Sequence, residues 1–462
     1  MTRRERLVLL ASVVGFSMVL LDTTIVNVAL GSIAHEFAAG PATLGWIANA
    51  YTLVFAGLLL STGLAADRIG ARTVFVTGLA IFAGGSVVAA FAPSAAALIG
   101  AQAILGVGAA LVLPTSLSLL SQVFTDRSQR MRAIGIWAAG SSVAFAAGPV
   151  LGGVLIEQAG WRSIFVINLP LAALGAALVL TQVRGREAAT PTAALNLGAQ
   201  AAAIAMLVAL TFGLMESTGS GWGSAPVLVA VGSAVVLAAG LFVRERSTAN
   251  RLVPRELMAD RRVTASTAGG ALLNFAFYGE LFFLSLFLQQ ERGLDALHTG
   301  LAFLPQPLMF MSVAPFAGRL VASRGPRLPL ALGAGLGAAG AFVLVGVDLD
   351  SSYGFLMVGL ALSGMGGGLA VPAITAGVMG SAPTALAGVA SATLNAGRQV
   401  GGVLGVALLG GLATASGHVE VAAMHSALLI AGVALVLAGA LAFTLPARER
   451  ARSPELAFAT AE

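Results

Sequence analysis

The sequence predicts an all-α integral membrane protein with about fourteen transmembrane helices. Of its 462 residues, 58% are hydrophobic and only 10% are charged, whereas soluble globular proteins carry about 25% charged residues. A soluble domain of this composition would lack polar groups for its surface, but a bilayer accepts an apolar exterior. The apolar segments are about 20 residues long and do not alternate with period two, so transmembrane strands are disfavoured.

Fourteen apolar segments are each long enough to cross the hydrocarbon core of a bilayer. Their approximate bounds are 7–31, 43–66, 73–91, 95–120, 132–156, 163–182, 194–215, 225–243, 263–288, 297–319, 327–346, 353–377, 386–411 and 425–445. The loops between them are too short to hold a soluble domain. The chain has no Cys, which excludes disulfides and thiolate metal sites.

The arginines predict how these spans are oriented. All 25 basic residues are Arg, because the chain contains no Lys. Only Arg162 and Arg292 fall on one side of the predicted map, Arg398 lies inside a span, and the others share the side of the two termini. By the positive-inside rule, both termini are predicted to be cytoplasmic. Arginines placed in short loops explain the basic composition without any binding of nucleic acid.

The longest interior linker separates the last six spans from the first eight. We therefore predict an N-terminal six-helix half (1–190), two inserted transmembrane helices (191–243), a charged cytoplasmic linker (244–262), and a C-terminal six-helix half with a short cytoplasmic tail (263–462). Two six-helix halves with a substrate path between them are a recurring plan of secondary transporters. This organisation is written 6+2+6 below.

Two glycine-rich segments indicate internal repetition. Ala-Gly-Pro-Val-Leu-Gly-Gly (147–153) ends the fifth span, and Ala-Gly-Arg-Gln-Val-Gly-Gly (396–402) lies in the thirteenth. These spans would be equivalent if two helices were inserted between two six-helix halves. In the first segment, a proline bends the helix and the glycines allow close packing, so this span suits a seal or a rocking surface. The alternative is a packing groove without a gating role.

Three charged residues lie well inside predicted spans. They are Asp22 in the first, Glu280 in the ninth and Arg398 in the thirteenth. A charge at the bilayer centre costs roughly 2.5–3.5 kcal/mol on insertion scales, so each is a candidate for function. The two acids are expected at similar depth, one in each half, where they would exchange protons or bind a cationic substrate. The alternatives are that the acids are structural hydrogen-bond partners, and that Arg398 neutralises Glu280 or lines a cavity.

The segment Gly-Leu-Ala-Ala-Asp-Arg-Ile-Gly-Ala-Arg (63–72) joins the second and third spans. Its first glycine permits a close helix approach, its aspartate caps a turn or pairs with an arginine, and its second glycine allows a tight reversal. We predict a gating loop formed by Gly63, Asp67, Arg68, Gly70 and Arg72. The alternative is a generic charged turn.

This loop resembles the signature loop of the major facilitator superfamily. Four further segments resemble its fourteen-span drug:proton antiporter branch, the multidrug efflux transporters. They are Leu-Asp-Thr-Thr-Ile-Val-Asn-Val-Ala-Leu (21–30), the fifth-span glycines and proline (Gly148, Pro149, Gly152, Gly153), Trp-Arg-Ser-Ile-Phe-Val-Ile-Asn-Leu-Pro (161–170), and Asn-Ala-Gly-Arg-Gln-Val-Gly-Gly (395–402). The resemblance covers essentially the whole chain. It implies the major facilitator fold and adds Asn27 and Asn395 to the expected proton-coupling or substrate residues.

The chain departs from the family pattern at several positions. Gln102 stands where the fourth helix of the family usually carries an arginine that is linked to proton transfer. We therefore expect Asp22, Glu280 and Arg398 to carry coupling in place of the fourth-helix arginine, and we keep Gln102 among the proton-coupling or substrate residues. Gly31 replaces the usual proline of the first-span motif.

The resemblance implies a proton-coupled secondary active exporter, an antiporter of lipophilic small molecules or drugs, with cationic molecules among the candidates. It would work by alternating access, driven by the proton gradient and without a cofactor. Its expected partners are the lipid bilayer, the substrate and protons, and it is expected to be a multi-pass monomer of a bacterial inner membrane. Aromatic and methionine side chains are expected to line the inner face or to contact lipid, namely Phe275, Phe277, Tyr278, Phe282 and Met309.

Three alternatives are compatible with the sequence: a dedicated exporter of one endogenous metabolite or antibiotic, a transport-inactive membrane sensor, and an intramembrane enzyme. The sequence has no His-Glu-x-x-His zinc pattern and no Walker loop. Its four histidines all lie at span ends or in outer loops. An enzyme is therefore the least favoured alternative.

Overall fold

The computed structural model describes residues 1–183, 196–248, 251–383 and 386–446. Within these ranges the side chains of residues 60, 61, 63–68, 127, 128, 131, 142, 146, 197, 218 and 219 are not described. The predicted boundary between residues 190 and 191 lies outside the described residues. So do five arginines of the predicted cytoplasmic side, namely Arg184, Arg186, Arg448, Arg450 and Arg452.

The N-terminal bundle is defined by seven helices. They are α1 (Arg3–Phe37), α2 (Pro41–Ile69), α3 (Ala71–Ala90), α4 (Ala95–Val123), α5 (Arg127–Ala159), α6 (Ser163–Val166) and α7 (Asn168–Gln182). Local signals set several of their ends: Thr2 and Glu5 form a capping box before α1, and the side chains of Ser94 and Asp126 cap α4 and α5. In this bundle, α1 packs against α5 and α7, and α4 packs against α2 and α3.

The middle of the chain forms α8 (Leu197–Ser220), α9 (Ala225–Ser247) and the short α10 (Arg255–Ala259). Helix α9 packs on α8, and α8 packs on α2. Gln200 of α8 donates a hydrogen bond to the main-chain oxygen of Leu58 at 3.4 Å. These helices therefore attach to the side of the N-terminal bundle.

The C-terminal bundle is defined by the remaining helices. They are α11 (Arg261–Leu286, continued by a π-helix at Phe287–Glu291), α12 (Ala296–Ala302), α13 (Pro305–Arg324), α14 (Arg327–Leu344), α15 (Tyr353–Ser381), α16 (Ala387–Gly405, continued by a π-helix at Val406–Gly410), α17 (Gly411–Ala413) and α18 (Val421–Leu441, continued by a 3₁₀ turn at Ala442–Thr444). Helix α11 packs on α16, α18 and α15, and α15 packs on α13 and α14. The pairing of α11 with α16 parallels the pairing of α1 with α5.

The number of membrane-spanning helices agrees with the sequence. Among the described residues, thirteen helices are long and apolar enough to cross a membrane, and the pair Arg132–Phe145 and Ala147–Ala159, bent by 43°, makes a fourteenth if it is counted as one span. No described residue forms a β-strand. The prediction of an all-α membrane protein with about fourteen transmembrane helices is confirmed, while the division into 6+2+6 segments stays a prediction.

The bend in α5 has a chemical cause. Pro149 has no N–H, so the main-chain oxygen of Phe145, four residues earlier, loses its helical donor. Thr24 of α1 supplies a replacement, because its hydroxyl donates to the Phe145 oxygen at 3.2 Å. The kinked helix is thus fastened to α1 at the point where its own hydrogen bonding fails.

Candidate functional site

Asp22 is enclosed inside the N-terminal bundle. It is 1% exposed, and the amide of Asn168 in α7 donates to its Oδ1 atom at 3.3 Å. The same amide group donates to the hydroxyl of Ser86 in α3 at 3.2 Å. The other carboxyl oxygen of Asp22 and the side-chain oxygen of Asn168 have no hydrogen-bond partner. A buried acid with one unpartnered oxygen therefore lies where α1, α3 and α7 meet.

Glu280 has the corresponding environment in the C-terminal bundle. It is 2% exposed, and the hydroxyl of Ser363 in α15 donates to its Oε2 atom at 3.4 Å. Its Oε1 atom has no hydrogen-bond partner. The hydrogen-bond partners of Asp22 and Glu280 thus come from different bundles, and the structure does not bring the two carboxyl groups together.

The two acids nevertheless lie at the same depth. Helices α1 and α11 run in the same direction, and the hydroxyl of Ser285 donates to the main-chain oxygen of Asn27 at 2.7 Å across 258 residues of sequence. One turn further on, Gly31 lies directly against the side chain of Gln289 in the same register. Both contacts join residues that are 258 positions apart, and Asp22 and Glu280 are separated by the same number of positions. Each acid therefore precedes the contact between the bundles by the same number of residues along its helix.

Arg398 lies against α11 and forms no ion pair with either acid. Its side chain is half-buried, with its Cγ atom next to Gly270 and its Nε atom donating to Asn274 Oδ1 at 3.4 Å. None of the ion pairs among the described residues includes Arg398. Arg398 and Glu280 therefore form no ion pair among the described residues, and the neutralisation of Glu280 by Arg398 stays a hypothesis. The two side chains have different partners because of helix rotation: Glu280 turns towards α15, whereas Arg398 turns along the Gly270–Asn274 face of α11.

The three predicted amide residues form mostly local contacts. The Asn27 amide donates to the Thr23 oxygen at 3.3 Å, and the Asn395 amide donates to the Ser391 oxygen at 2.9 Å, each within its own helix. Gln102 is buried in α4, and its Oε1 atom has no hydrogen-bond partner. Of the three, Asn27 alone is shown joined to the opposite bundle, through the Ser285 contact.

The predicted gating loop is much shorter than expected. Helix α2 continues to Ile69, so Gly63, Asp67 and Arg68 are helical, and the side chains of the last two lie outside the described set. The only non-helical residue is Gly70, which has a φ of 92° that favours glycine. Arg72 in α3 donates to the main-chain oxygen of Leu180 at the end of α7 at 3.1 Å. The described contact of this segment therefore ties α3 to α7.

The fifth-span motif packs α5 against both bundles. A Cβ atom on Gly148 would collide with the Thr24 hydroxyl of α1, and one on Gly152 would lie 2.7 Å from Ile25 Cγ1. On another face of α5, a Cβ on Gly153 would lie 2.6 Å from the Cα atom of Leu297 in α12. The motif thus packs α5 against α1 in its own bundle and against α12 in the C-terminal bundle. None of its three glycines has room for a Cβ atom.

The two bundles meet towards the ends of the spans farthest from the N terminus. Gly300 of α12 lies against the main chain of Pro149, and the amide of Asn49 in α2 donates to the Val403 oxygen of α16 at 3.2 Å. Together with the contact between Asn27 and Ser285, these interactions form a seal between the bundles, called the outer seal below. Helix α8 adds to it, because Leu207 joins Leu53 of α2 and Val403 of α16 in a buried apolar cluster.

Cavities lie on both sides of the outer seal. One, of about 590 Å³, lies at the face opposite the N terminus and is lined by polar residues that include His35, Glu36, Glu157, Gln289 and Asp295. The other, of about 530 Å³, lies between α5, α13 and α15 and is lined by mostly apolar side chains that include Ala138, Phe310, Ala314, Val371 and Met379. The seal thus separates a polar vestibule from an apolar cavity.

The predicted aromatic residues divide into different environments. Phe277 contacts Phe145 of α5 with ring centroids 5.5 Å apart, and Tyr278 lies 5.1 Å from Phe277. Phe282 is fully buried, whereas Met309 of α13 is exposed. The aromatic contact between the bundles therefore comes from two of the expected residues, together with Phe145, which had not been singled out.

A family model described as Major Facilitator Superfamily matches residues 12–203 and 183–406 of the chain. The chain belongs to the major facilitator superfamily. The resemblance drawn from the sequence motifs is therefore confirmed, and the molecule is a multi-pass membrane protein of a transporter family.

Several relatives from this superfamily match over most of their length. A methylenomycin A resistance protein of Streptomyces coelicolor is 35% identical over 443 residues, which cover 95% of this chain and 92% of the relative. The multidrug resistance protein Stp of Mycobacterium tuberculosis is 36% identical over 416 residues, covering 90% and 77%. The cephamycin export protein CmcT of Amycolatopsis lactamdurans is 34% identical over 449 residues, covering 95% and 92%.

A solved structure shares the major facilitator fold with this chain. It is a bacterial homolog of the human lysosomal transporter Spinster, described as inward-facing and unoccupied. The TM-score is 0.69 at 17% identity, with 96% of this chain and 97% of that chain covered. This similarity supports the fold assignment alone.

Some partners in the site were not predicted from the sequence. Asn168 lies in the segment 161–170, which had been noted only as a family motif, yet it is the residue that binds Asp22. Ser86, Asn274 and Ser363 were not singled out, because a lone polar residue in an apolar helix does not reveal which neighbour it faces. Their position well inside long apolar spans is the one signal that could have marked them.

Proposed function

We propose that this chain is a proton-coupled exporter of lipophilic drugs or antibiotics that works by alternating access in a bacterial inner membrane, with both termini in the cytoplasm. The names of the relatives, which describe resistance and export, support the direction and the substrate class. The concentration of arginines on the side of the termini supports the orientation.

The observation that carries the proposal is the pair of buried acids, one in each bundle and in the same register. Asp22 and Glu280 each have one weak hydrogen bond and one unpartnered oxygen. An unpaired buried carboxylate is costly, and a proton on the free oxygen removes the charge. Each acid is therefore suited to take up and release a proton when access from water changes.

The outer seal suggests how access changes. In this conformation the seal lies between the polar vestibule and the apolar cavity, and the fifth-span glycines form part of it. Export requires α5 to separate from α12, and α1 from α11, while the opposite ends of the bundles approach each other. Close glycine contacts between α5 and α1 would let these two helices move as one body.

Transport assays in proteoliposomes with an imposed pH gradient test the proposal. Ethidium and Nile red serve as a cationic and a neutral lipophilic probe. We expect the wild-type protein to lose export when the gradient is collapsed, and Asp22→Asn and Glu280→Gln to lose the dependence on the gradient. Glu420→Gln, at an exposed position before α18, is the matched control. Export that ignores the gradient, or wild-type proton dependence in both variants, would reject proton coupling.

A second candidate is a dedicated exporter of one antibiotic made by the host. The names of two relatives favour it, since each refers to a single antibiotic or class, methylenomycin A and cephamycin. A broad panel of lipophilic probes distinguishes the two, because a dedicated exporter would move none of them while conferring resistance to one compound.

A further inference from the structure

Arg398 is a cation inside the membrane without an acidic partner. It is about 16 Å along α16 from the helix start, at 1.5 Å per residue, which is too deep for its side chain to reach the headgroup region. Among the described residues, Asn274 is the one hydrogen-bond acceptor shown for its guanidinium. A guanidinium has five N–H donors, so most of its capacity is unused.

Among the described residues, no carboxyl group of a neighbouring helix forms an ion pair with the Arg398 guanidinium. Described acids on the helices that pack against α16 include Glu280 of α11, which is bonded to Ser363, and Glu216 of α8, which is bonded to Ser220. Asp22 of α1 accepts a hydrogen bond from Asn168 and forms no ion pair with Arg398. The positive charge at Arg398 is therefore not balanced by an ion pair in the described part of the protein.

Aromatic side chains from both bundles adjoin this charge. The Tyr278 ring packs against Gly402, one helical turn after Arg398 on the same face of α16, since a Cβ atom on Gly402 would lie 2.7 Å from Tyr278 Cδ2. The same ring contacts Phe277, which contacts Phe145 of α5. A half-buried cation thus lies next to an aromatic surface that extends across the boundary between the bundles, which suits a molecule with an acidic end and an apolar body.

We propose that Arg398 binds an acidic group, a carboxylate or a similar anion, of the exported molecule, with the Tyr278–Phe277–Phe145 rings contacting its apolar part. This assignment rests on the proposed export function and makes lipophilic acids the preferred substrates. The guanidinium fork matches a carboxylate in two parallel hydrogen bonds, which a neutral ester cannot reproduce.

Binding to the purified full-length protein tests this assignment without any gradient. The probes are 9-anthroate and its methyl ester, measured by equilibrium dialysis at pH 7.5. We expect the wild-type protein to prefer the acid by about tenfold, as a charge-assisted contact implies. Arg398→Gln should abolish that preference while leaving ester affinity within about twofold, and Arg398→Lys should keep part of it because the charge remains.

Arg319→Gln is the matched control, because Arg319 is an exposed arginine on α13. Equal affinity of the wild-type protein for acid and ester would overturn the assignment, even if the glutamine variant does not stay folded. An unchanged preference in Arg398→Gln, or a loss in Arg398→Lys as complete as in the glutamine variant, would also overturn it. A failure of proton coupling in the proteoliposome assay would leave this binding result unaffected, so the two proposals can fail separately.

Discussion

The hydroxyl of Ser285 donates a hydrogen bond to the main-chain oxygen of Asn27 across 2.7 Å, joining the ninth span to the first. Both residues are buried, and Gln289 in turn donates to Ser285 at 2.9 Å. This contact aligns α1 and α11 so that the two buried acids lie at one depth. It also makes the outer seal sensitive to a single hydroxyl group.

Removing that hydroxyl should loosen the outer seal. In Ser285→Ala, the Asn27 oxygen keeps its helical partner but loses the bond between the bundles, a loss of about 1 kcal/mol, or roughly fivefold in the closed-to-open ratio. Because the chain has no Cys, spin labels on cysteines introduced at Glu157 and Gln290, across the vestibule, report the distance between the bundles. We expect a larger population at long distance. Ser312→Ala, whose hydroxyl donates within α13 at 2.8 Å, should leave the distribution unchanged.

Glu36 and Arg162 form a bidentate ion pair at the vestibule, with N–O distances of 2.7 and 2.6 Å. Trp161 also donates to Glu36 at 2.6 Å, and the carboxylate raises the pKa of Arg162 by hydrogen bonding to it. Both side chains are 39% exposed, so we expect Glu36→Gln to destabilise the protein by at most about 1 kcal/mol. In thermal unfolding, the variant should have a lower Tm than the wild-type protein at low salt. The difference between the two Tm values should be smaller at high salt. A salt-independent loss would indicate that packing of Trp161 dominates.

Gly148 leaves no room for a side chain against Thr24. We expect Gly148→Ala to cost about 1–3 kcal/mol through overpacking, because the Thr24 hydroxyl that supports the kink must move. The measurement is the Tm of the detergent-solubilised protein and the fraction that elutes as a single species. Gly135→Ala in the same helix has open space around its Cβ position and should be neutral or slightly stabilising. Equal effects of the two substitutions would contradict the packing account.

Asp295 caps α12, the helix that packs on Pro149 and Gly153. The His298 N–H donates to its Oδ1 atom at 2.7 Å, and the hydrogen bonds from His298 lower the pKa of Asp295 below its usual 3.8. A lowered pKa means that the cap contributes above pH 3.8 and is lost only as the pH falls through the lowered value. Since the Asp295 carboxylate stays ionised between pH 5 and 8, the cap should not alter the distance between the spin labels at positions 157 and 290 over that range.

Substitutions at Asp295 separate its charge from its capping role. Asp295→Ala should weaken the start of α12 by about 1 kcal/mol and broaden the distance distribution, because alanine cannot accept the hydrogen bond. Asp295→Asn keeps a good capping side chain and should retain most of the wild-type distribution. Equal broadening in both variants would mean that the carboxylate charge, rather than the cap, matters.

The sequence alone was enough for the number of spans, their approximate bounds and the depth of Asp22, Glu280 and Arg398. These are properties of one helix at a time. A run of apolar residues has to be long enough to cross the hydrocarbon core, and a charge within it is costly wherever its neighbours lie. The family motifs then identified the superfamily, because they are short local patterns of glycine, proline and charge.

The partners of those charges were decided only by the tertiary structure. The spans are apolar on nearly every face, so hydropathy carries little information about how each helix is rotated about its axis. Rotation directs Asp22 to Asn168, Glu280 to Ser363 and Arg398 to Asn274, and it leaves Arg398 without the acid that its position in the sequence had suggested. Close packing at glycines and side-chain hydrogen bonds set these rotations, and both arise only when helices distant in sequence are in contact.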